Sequence, residues 1–206
     1  FSKSKKISKE IEKLSEAQSI LKKKINEIIN FIPNIALEDV PIGKDEKSNQ
    51  EIKKVGKIPN LNFLPKSHHE LGNKLNMMDF ETATKVSGAR FVFLKDKLAY
   101  LERAISNFML DCHTKEFNYK EISPPLIVND DTMYGTGQLP KFENDQFEIK
   151  SDNSKSRKFL IPTAEVVLTN ILRETSINEK YLPQRYVAST ACFRKEAGSY
   201  GKDTKG

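Results

Sequence analysis

The chain has 206 residues, of which 37% are hydrophobic and 30% are charged. This is enough for one large or two small folded domains, and the apolar runs are too short to cross a bilayer, so no membrane association is expected. The formal net charge of +6 is concentrated in residues 1–30, where eight lysines oppose four glutamates, a balance that suits either a polyanion such as RNA or a solvated helix face.

The first predicted element is a long amphipathic helix that ends at residue 32. Its apolar positions are spaced alternately by four and three residues, with one polar exception: Ile7, Ile11, Leu14, Gln18, Leu21, Ile25, Ile28 and Ile32. Such a coiled-coil seam requires a covering helix. We expect an antiparallel helix upstream of this sequence, while pairing of two copies is the alternative. Pro33 should end the helix, because proline disfavours helical geometry in the preceding residue.

Residues 34–65 are predicted to form a linker, because PIGKDE, VGKIPN and FLP place turns in a polar stretch. A second long helix is predicted over about residues 96–117, from the helical spacing of Leu98, Leu101, Ile105, Phe108 or Met109, and Cys112. Asn118 should stop this helix in the left-handed conformation, which asparagine tolerates better than most residues. The extended segment YKEISPPLIV follows.

The C-terminal third alternates between loops and short regular elements. GTGQLPKF at 135–142 is predicted to be a loop, and KSDNSKSRK at 150–158 to be the exposed end of a hairpin. FLIP should form a strand that leads into a helix capped by Thr163 and carrying apolar residues as far as Leu172. RYVASTACFR at 185–194 is predicted to be a strand. Because strands and helices do not alternate regularly, an α+β fold with a mixed, antiparallel sheet is predicted.

Simple nucleotide-binding and metal-binding motifs are not found. GSYGKDTKG departs from the phosphate-loop pattern, because Asp203 follows Gly201–Lys202, and GTGQLP lacks the third glycine of a dinucleotide fingerprint. The adjacent pairs His68–His69 and Cys112–His113 should point apart, so no metal site is expected.

The two cysteines, Cys112 and Cys192, lie 80 positions apart. A disulfide framework is therefore not expected, and a reduced, cytosolic setting is the default for such a chain. Both side chains are predicted to belong to the core rather than to act as nucleophiles.

The end of the last predicted strand carries the residues with the clearest chemistry. Strand alternation sends Arg194 and Glu196 to one face. A guanidinium can grip a phosphate or carboxylate through a fork of donors, and a carboxylate beside it can accept from an amine. An Arg–Glu surface pair is the alternative. Thr163 and Glu165 likewise fit either a helix cap or the polar floor of a pocket.

Several longer stretches resemble the class II aminoacyl-tRNA synthetases of the seryl type. ACFRKEAGSYGKDTKG resembles their second signature motif, and IPTAEVVLTN resembles their serine-binding segment. FLPKSHHELG, MDFETATKVSGARFVFL, YKEISPPLIV and GTGQLPKF follow the same family in the same order, and the lysine-rich helix with VPIGKDE resembles the descending half of its tRNA-binding arm. The resemblance covers essentially all 206 residues, which is far more specific than any single motif.

The resemblance implies an α+β architecture in which a coiled-coil helix precedes an antiparallel sheet flanked by helices, here incomplete. Residues 1–32 would be the second helix of the tRNA-binding arm, 33–65 a linker and 66–206 the N-terminal part of the catalytic domain. Motif 1 would span about 96–128 and form a homodimer interface that includes Pro125. Motif 2 would span about 185–206, so we expect a third motif downstream and no serine activation by this stretch alone.

The implied activity is that of a cytoplasmic serine–tRNA ligase that uses ATP and Mg²⁺ and acts on serine and tRNA(Ser). Arg194 would be its catalytic residue, which holds the α-phosphate of ATP and the carboxylate of serine. Arg194, Lys195 and Glu196 would together bind ATP, with the Glu196 carboxylate on the adenine amino group.

The remaining implied contacts concern serine and tRNA. Thr163, Ala164 and Glu165 would bind serine. Lys202 and Lys205 stand where the family usually has arginines; they keep the charge but lose bidentate phosphate contacts, and they are candidates for contacting tRNA.

Two alternatives from other functional classes fit parts of the sequence. An amino-acid ligase that charges a carrier protein would lack the tRNA arm, so the heptad pattern argues against it. A non-catalytic, synthetase-like binding module is disfavoured by the presence of Arg194 and Glu196 together with Thr163 and Glu165.

Overall fold

The computed structural model describes residues 2–150 and 156–196. It divides the chain into two compact units, Phe1–Asn62 and Phe63–Gly206. Within the described ranges, no helix combines the length and apolar character needed to cross a membrane.

The described part of the chain is α+β. Its helices are α1 (Ser2–Ile29), α2 (His68–Lys74), α3 (Phe80–Ser87), α4 (Asp96–Glu116), α5 (Asp130–Gly135) and α6 (Glu165–Asn170). Its strands are β1 (Met78–Asp79), β2 (Phe93–Leu94), β3 (Lys120–Glu121), β4 (Ile127–Asn129), β5 (Glu148–Ile149), β6 (Lys158–Leu160) and β7 (Tyr186–Val187). Single 3₁₀ turns lie at Glu46–Ser48, Glu143–Asp145 and Glu179–Tyr181.

The long N-terminal helix is present, but α1 ends three residues before the predicted Ile32. The amides of Phe31 and Ile32 donate to carbonyls three residues back, at 3.2 and 3.1 Å, so the last turn has tightened to 3₁₀ geometry ahead of Pro33. All side chains from residue 3 to residue 29 are exposed, including the apolar seam. A seam of this length without cover is typical of one half of a coiled coil.

The rest of the first unit has no α-helix or β-strand among its described residues. Residues 33–62 are all described and form turns and extended pieces around the 3₁₀ turn Glu46–Ser48. Asp45 begins that turn, and its carboxylate accepts a hydrogen bond from the amide of Lys47 at 3.0 Å.

The second unit begins with α2 and a small hairpin that encloses α3. Strands β1 and β2 pair antiparallel, with Met78 opposite Leu94 and Asp79 opposite Phe93. Gly72 in α2 allows this hairpin to approach closely, because a Cβ at that position would lie 2.3 Å from the side chain of Met78. The hairpin and α3 therefore form one compact corner of the unit.

Helix α4 confirms the second long helix, and Asn118 adopts the predicted left-handed conformation with φ of 57°. None of the residues of α4 is buried. The chain then enters β3, which pairs parallel with β7 through Lys120 opposite Tyr186. The sheet structure is thus mixed, as predicted.

The core surrounds a three-stranded antiparallel sheet in the order β4–β6–β5. Pairing of Glu148 with Phe159 and of Ile149 with Lys158 confirms a hairpin at the predicted place, and its tip, residues 151–155, lies outside the described residues. The buried apolar residues around this sheet are Val128, Met133, Leu139, Phe159, Ile161 and Val166.

Two predicted elements differ in extent. The strand predicted over 185–194 is wrong beyond Val187, because the later amides of Phe193 and Lys195 donate singly to Ile161 and Asp145 instead of forming a ladder. Cys192, which lies in this irregular stretch, is an exposed free thiol rather than a core residue, and Cys112 is partly buried and also free.

The predicted cap of α6 is also different. Ala164, not Thr163, stands at the N-cap, and the Thr163 hydroxyl lies 3.4 Å from the amide of Glu165, which is long for a strong hydrogen bond. The helix ends at Asn170, before Leu172. The side-chain amide of Asn170 donates to the carbonyl of Val166 within α6 at 2.8 Å and to the carbonyl of Thr132 in α5 at 3.1 Å. The second of these bonds fastens α6 to α5.

Asp79 caps α3 and should make the stability of this corner sensitive to acid. Its carboxylate accepts from the amide and hydroxyl of Thr82 at 3.0 and 2.9 Å and pairs with Lys95 at 3.0 Å. The Thr82 amide, followed by Lys95, lowers the pKa of Asp79 from 3.8 to about 2. Because the folded-state pKa is depressed, the stabilisation is complete above about pH 4 and is lost as the pH falls through about 2.

We expect Asp79→Asn to lower the urea midpoint of unfolding at pH 6, and we expect the difference from the wild type to shrink between pH 4 and pH 2.5. Asparagine can still accept from Thr82 but cannot pair with Lys95, and its side chain does not titrate. Urea titrations of the complete gene product monitored by circular dichroism measure this. Glu81→Gln, at an exposed helix pair with Lys85, is the matched control. A difference that stays constant over this pH range would contradict the assignment.

Candidate active site

The segment that carries Arg194 is attached to the sheet by its main chain. The amide of Phe193 donates to the carbonyl of Ile161 at 2.9 Å, just beyond β6. Two residues later, the amide of Lys195 donates to the carbonyl of Asp145 at 2.9 Å, at the end of a 3₁₀ turn. The backbone on either side of Arg194 is therefore fixed independently of side chains.

Arg194 lines a cavity of about 290 Å³. Its Nε donates to the carbonyl of buried Pro162 at 3.1 Å, and no partner of its two terminal nitrogens is seen among the described residues. The cavity is lined by Gln138, Phe142, Asp145, Gln146, Pro162, Arg194 and Glu196. A guanidinium held by one nitrogen in this way can present its other donors to a phosphate or carboxylate.

Arg194 and Glu196 line the same cavity, but not through simple strand alternation. The backbone at Glu196 is left-handed, with φ of 50°, rather than extended. Lys195 is not among the lining residues, and its ammonium lies 5.7 Å from the centre of the Phe147 ring. The structure thus brings together two of the three predicted ATP contacts and directs the third elsewhere.

The predicted serine contacts face other cavities. Thr163 and Ala164 line a cavity of about 490 Å³ between α4 and residues 187–192. Glu165 lines a different cavity of about 610 Å³, together with β7. Thr163 directly follows Pro162, whose carbonyl receives the bond from Arg194, so the two predicted sites are adjacent along the chain although the described residues do not form one cavity.

The stretch that begins with GTGQLPKF supplies cavity residues for which the sequence analysis predicted no role. Gln138, Phe142 and Gln146 line the cavity beside Arg194. Gln146 is only 3% exposed, its Nε2 donates to the carbonyl of Phe142 at 3.0 Å, and its Oε1 has no hydrogen-bond partner among the described residues. The burial of Gln146 depends on tertiary contacts, which the sequence pattern does not reveal.

Ion pairs hold this side of the cavity to the hairpin. The Arg157 guanidinium bonds Glu148 at 2.7 and 2.8 Å, also bonds Glu143, and lies 4.9 Å from the centre of the Phe159 ring. The hydrogen bond from Arg157 lowers the pKa of Glu148, and its two carboxylate partners raise the pKa of Arg157. Because Glu143 begins the 3₁₀ turn that reaches Asp145, this cluster anchors one wall of the cavity.

Lys202 and Lys205 lie outside the described residues. Pro125 is exposed, after β3 and before β4. Its position leaves it accessible to a second molecule.

Comparison with known proteins shows what this chain is similar to. The tRNA synthetase class II core domain (G, H, P, S and T) matches residues 146–206. The serine–tRNA ligase of Pelagibacter ubique is 66% identical over all 206 residues, and that of Parvibaculum lavamentivorans is 51% identical over 95% of this chain. The chain is homologous to seryl-tRNA synthetases.

The fold agrees with solved seryl-tRNA synthetase structures. The seryl-tRNA synthetase from Pyrococcus horikoshii, complexed with ATP, superposes with a TM-score of 0.86 at 35% identity over 100% of this chain. The serine–tRNA ligase from Naegleria fowleri, in complex with AMP, gives a TM-score of 0.80 at 29% identity over 94% of this chain. The chain spans about half the length of these seryl-tRNA synthetases, 49% and 46% of the two bacterial ligases and 49% and 45% of the two solved structures.

Proposed function

We propose that the protein carrying this chain is a serine–tRNA ligase. It would activate serine with ATP to seryl-adenylate and then transfer the seryl group to the 3′ end of tRNA(Ser). The observation that carries the proposal is the shared cavity of Arg194 and Glu196, in a chain 66% identical to a serine–tRNA ligase. The cytoplasm is the proposed compartment.

Activation needs little covalent chemistry from side chains. An oxygen of the serine carboxylate attacks the α-phosphorus of ATP, and the bond to the leaving pyrophosphate breaks. The rate gain would come from alignment and from donors aimed at the negative charge that develops on the α-phosphate. Arg194 is suited to this role, because it lines the cavity and its Nε bond to Pro162 leaves the two terminal nitrogens of the guanidinium as further donors.

The proposed nucleotide pose places adenine near Glu196, whose carboxylate would accept from the exocyclic amine. Lys195 would contribute charge rather than a direct contact, since it lies over Phe147. Magnesium would be held largely by the phosphates of ATP, because Mg²⁺ keeps several waters and commonly binds through substrate phosphates.

Serine selection is proposed for Thr163, Ala164 and Glu165. The Glu165 carboxylate could accept from the ammonium group of serine, and polar groups in a closed site could match its hydroxyl. A competitor that lacks the hydroxyl would leave such groups unpaired. In the described residues, Glu165 and Arg194 line different cavities, so this part of the site would have to be completed by other residues or by the substrates.

The two long helices support the proposed partners. The exposed apolar seam and basic character of α1 fit one helix of a coiled-coil arm that contacts tRNA. On α4, which has no buried residue, the large exposed side chains include Leu101, Ile105, Phe108 and Met109. Contiguous exposed apolar residues mark an interaction surface, and we propose a second copy of the protein as the occupant, with Pro125 at its edge.

The proposed function is tested with the complete gene product by amino-acid-dependent exchange of labelled pyrophosphate into ATP, followed by aminoacylation of tRNA(Ser). We expect serine to support both, with alanine disfavoured in kcat/KM by about 10⁴, because alanine leaves hydroxyl-binding groups unpaired. Exchange without tRNA charging, with transfer to a carrier protein, would favour the amino-acid ligase alternative. Absence of both activities in folded protein would favour the non-catalytic module.

A further inference from the structure

Arg90 reaches across the second unit to the main chain that carries Glu196. Its Nη1 donates to the carbonyl of Lys195 at 2.9 Å and to the carbonyl of Glu196 at 2.7 Å. These two contacts span sequence separations of 105 and 106 positions. A charged donor that bonds two successive carbonyls restrains the backbone of the residue between them, here Glu196. Arg90 itself does not line the cavity.

The turn that presents Arg90 is held to the end of α3 by a main-chain hydrogen bond. Gly88 stops α3 with φ of 102°, and its amide donates to the carbonyl of Thr84 at 3.0 Å. Arg90 then adopts φ of 74°, a left-handed conformation that is uncommon for a residue with a long side chain. The chain returns into the β1–β2 hairpin, which the Lys95–Asp79 pair also closes.

The segment that accepts these bonds, Lys195–Glu196, also contains a residue with left-handed backbone geometry. Glu196 has φ of 50°, and the Lys195 amide is already bonded to Asp145. The main chain at Lys195 and Glu196 is therefore held by Asp145, through the amide of Lys195, and by Arg90, through the carbonyls of both residues. Two left-handed residues that meet through charge-assisted bonds are expected to persist only where the surroundings enforce them.

We propose that Arg90 is a positioning residue that acts through Glu196 to select adenine. By holding the carbonyls of Lys195 and Glu196, it keeps the Glu196 carboxylate at the cavity where the base would bind. The inference rests on the proposed function, because it assigns ATP to this cavity. It predicts that Arg90 controls recognition of the nucleotide base and leaves recognition of serine unchanged.

The test compares ATP with inosine triphosphate, which lacks the 6-amino group, in serine-dependent pyrophosphate exchange by the complete gene product. Arg90→Ala should raise the KM for ATP about tenfold, the scale of one lost charge-assisted hydrogen bond, and leave the KM for serine within about twofold. The preference for ATP over inosine triphosphate should fall by a similar factor. Arg90→Lys should restore part of it, and Arg173→Ala, at an exposed arginine on the same unit, should behave as wild type.

A double-mutant cycle shows whether Arg90 acts through Glu196. If it does, Arg90→Ala should add little to the loss of ATP preference already caused by Glu196→Ala, because coupled residues are not additive. Additive losses would overturn the proposal. So would a fall in kcat or a rise in the KM for serine with the nucleotide preference intact, which is the signature of a merely structural arginine.

Amide hydrogen exchange separates this inference from the proposed function, because it needs no catalysis. Arg90→Ala should speed exchange in peptides that span residues 190–196, while Arg173→Ala should not. Unchanged exchange in those peptides would overturn the inference even if the wild type charges tRNA. Faster exchange in a protein that never activates serine would support the Arg90 contact and reject the assignment of the cavity to this reaction.

Discussion

Replacing Arg194 by alanine in the complete gene product is expected to slow the formation of seryl-adenylate by about 10² to 10³. The variant removes preorganised donors at the position where negative charge develops on the α-phosphate. It also removes the Nε bond to the Pro162 carbonyl, which is 3.1 Å long and orients the guanidinium. Single-turnover measurement of adenylate formation at saturating serine and ATP is the direct readout.

Arg194→Lys is the informative companion variant. Lysine keeps the charge but cannot donate to Pro162 and to a phosphate through one planar group, so we expect an intermediate rate. The main-chain bonds of Phe193 and Lys195 should preserve the fold in both variants, and circular dichroism checks this. A folded Arg194→Ala protein that forms adenylate at the wild-type rate would exclude Arg194 from the chemistry.

Phe159→Ala is expected to destabilise the second unit by about 3–5 kcal/mol, the cost of removing a buried aromatic side chain and leaving a cavity. Phe159 is 1% exposed and lies on the central strand β6, opposite Val128 of β4 and Glu148 of β5. Its ring also supports the Arg157 guanidinium that anchors Glu143 and Glu148. The loss should therefore extend from the core to the wall of the cavity.

Native-state amide exchange of peptides from β4 and β6 measures this destabilisation within the second unit. Phe63→Ala is the matched control, because Phe63 is 62% exposed and should cost little. Equal effects of the two substitutions would mean that the sheet is not the core of the unit.

The sequence pattern was enough to predict two local features, the apolar seam of α1 and the end of α4. The seam of α1 follows from its repeat, and the left-handed Asn118 after α4 follows from the tolerance of asparagine for that conformation. The early end of α1 was not predicted, because the last turn before Pro33 changes to 3₁₀ geometry, in which each amide donates to the carbonyl three residues back. This kind of boundary depends on which carbonyl each terminal amide selects.

The candidate site was predictable in its residue types but not in its geometry. Arg194 and Glu196 were found from their spacing, yet they share a cavity through a left-handed Glu196 rather than a continuous strand. Neither Gln146 nor Arg90 was identified. Their contacts join Gln146 to a loop carbonyl and Arg90 to residues more than 100 positions away, and no periodic pattern encodes such a pair.

The main-chain attachment of the segment around Arg194 affects how readily this region can change in evolution or in the laboratory. Because the amides of Phe193 and Lys195 make the bonds to Ile161 and Asp145, most side chains at positions 193 and 195 can be exchanged without releasing the backbone. Proline is the exception, since it has no amide hydrogen to donate. A library that varies these two positions but omits proline should therefore keep the backbone that presents Arg194 to the cavity.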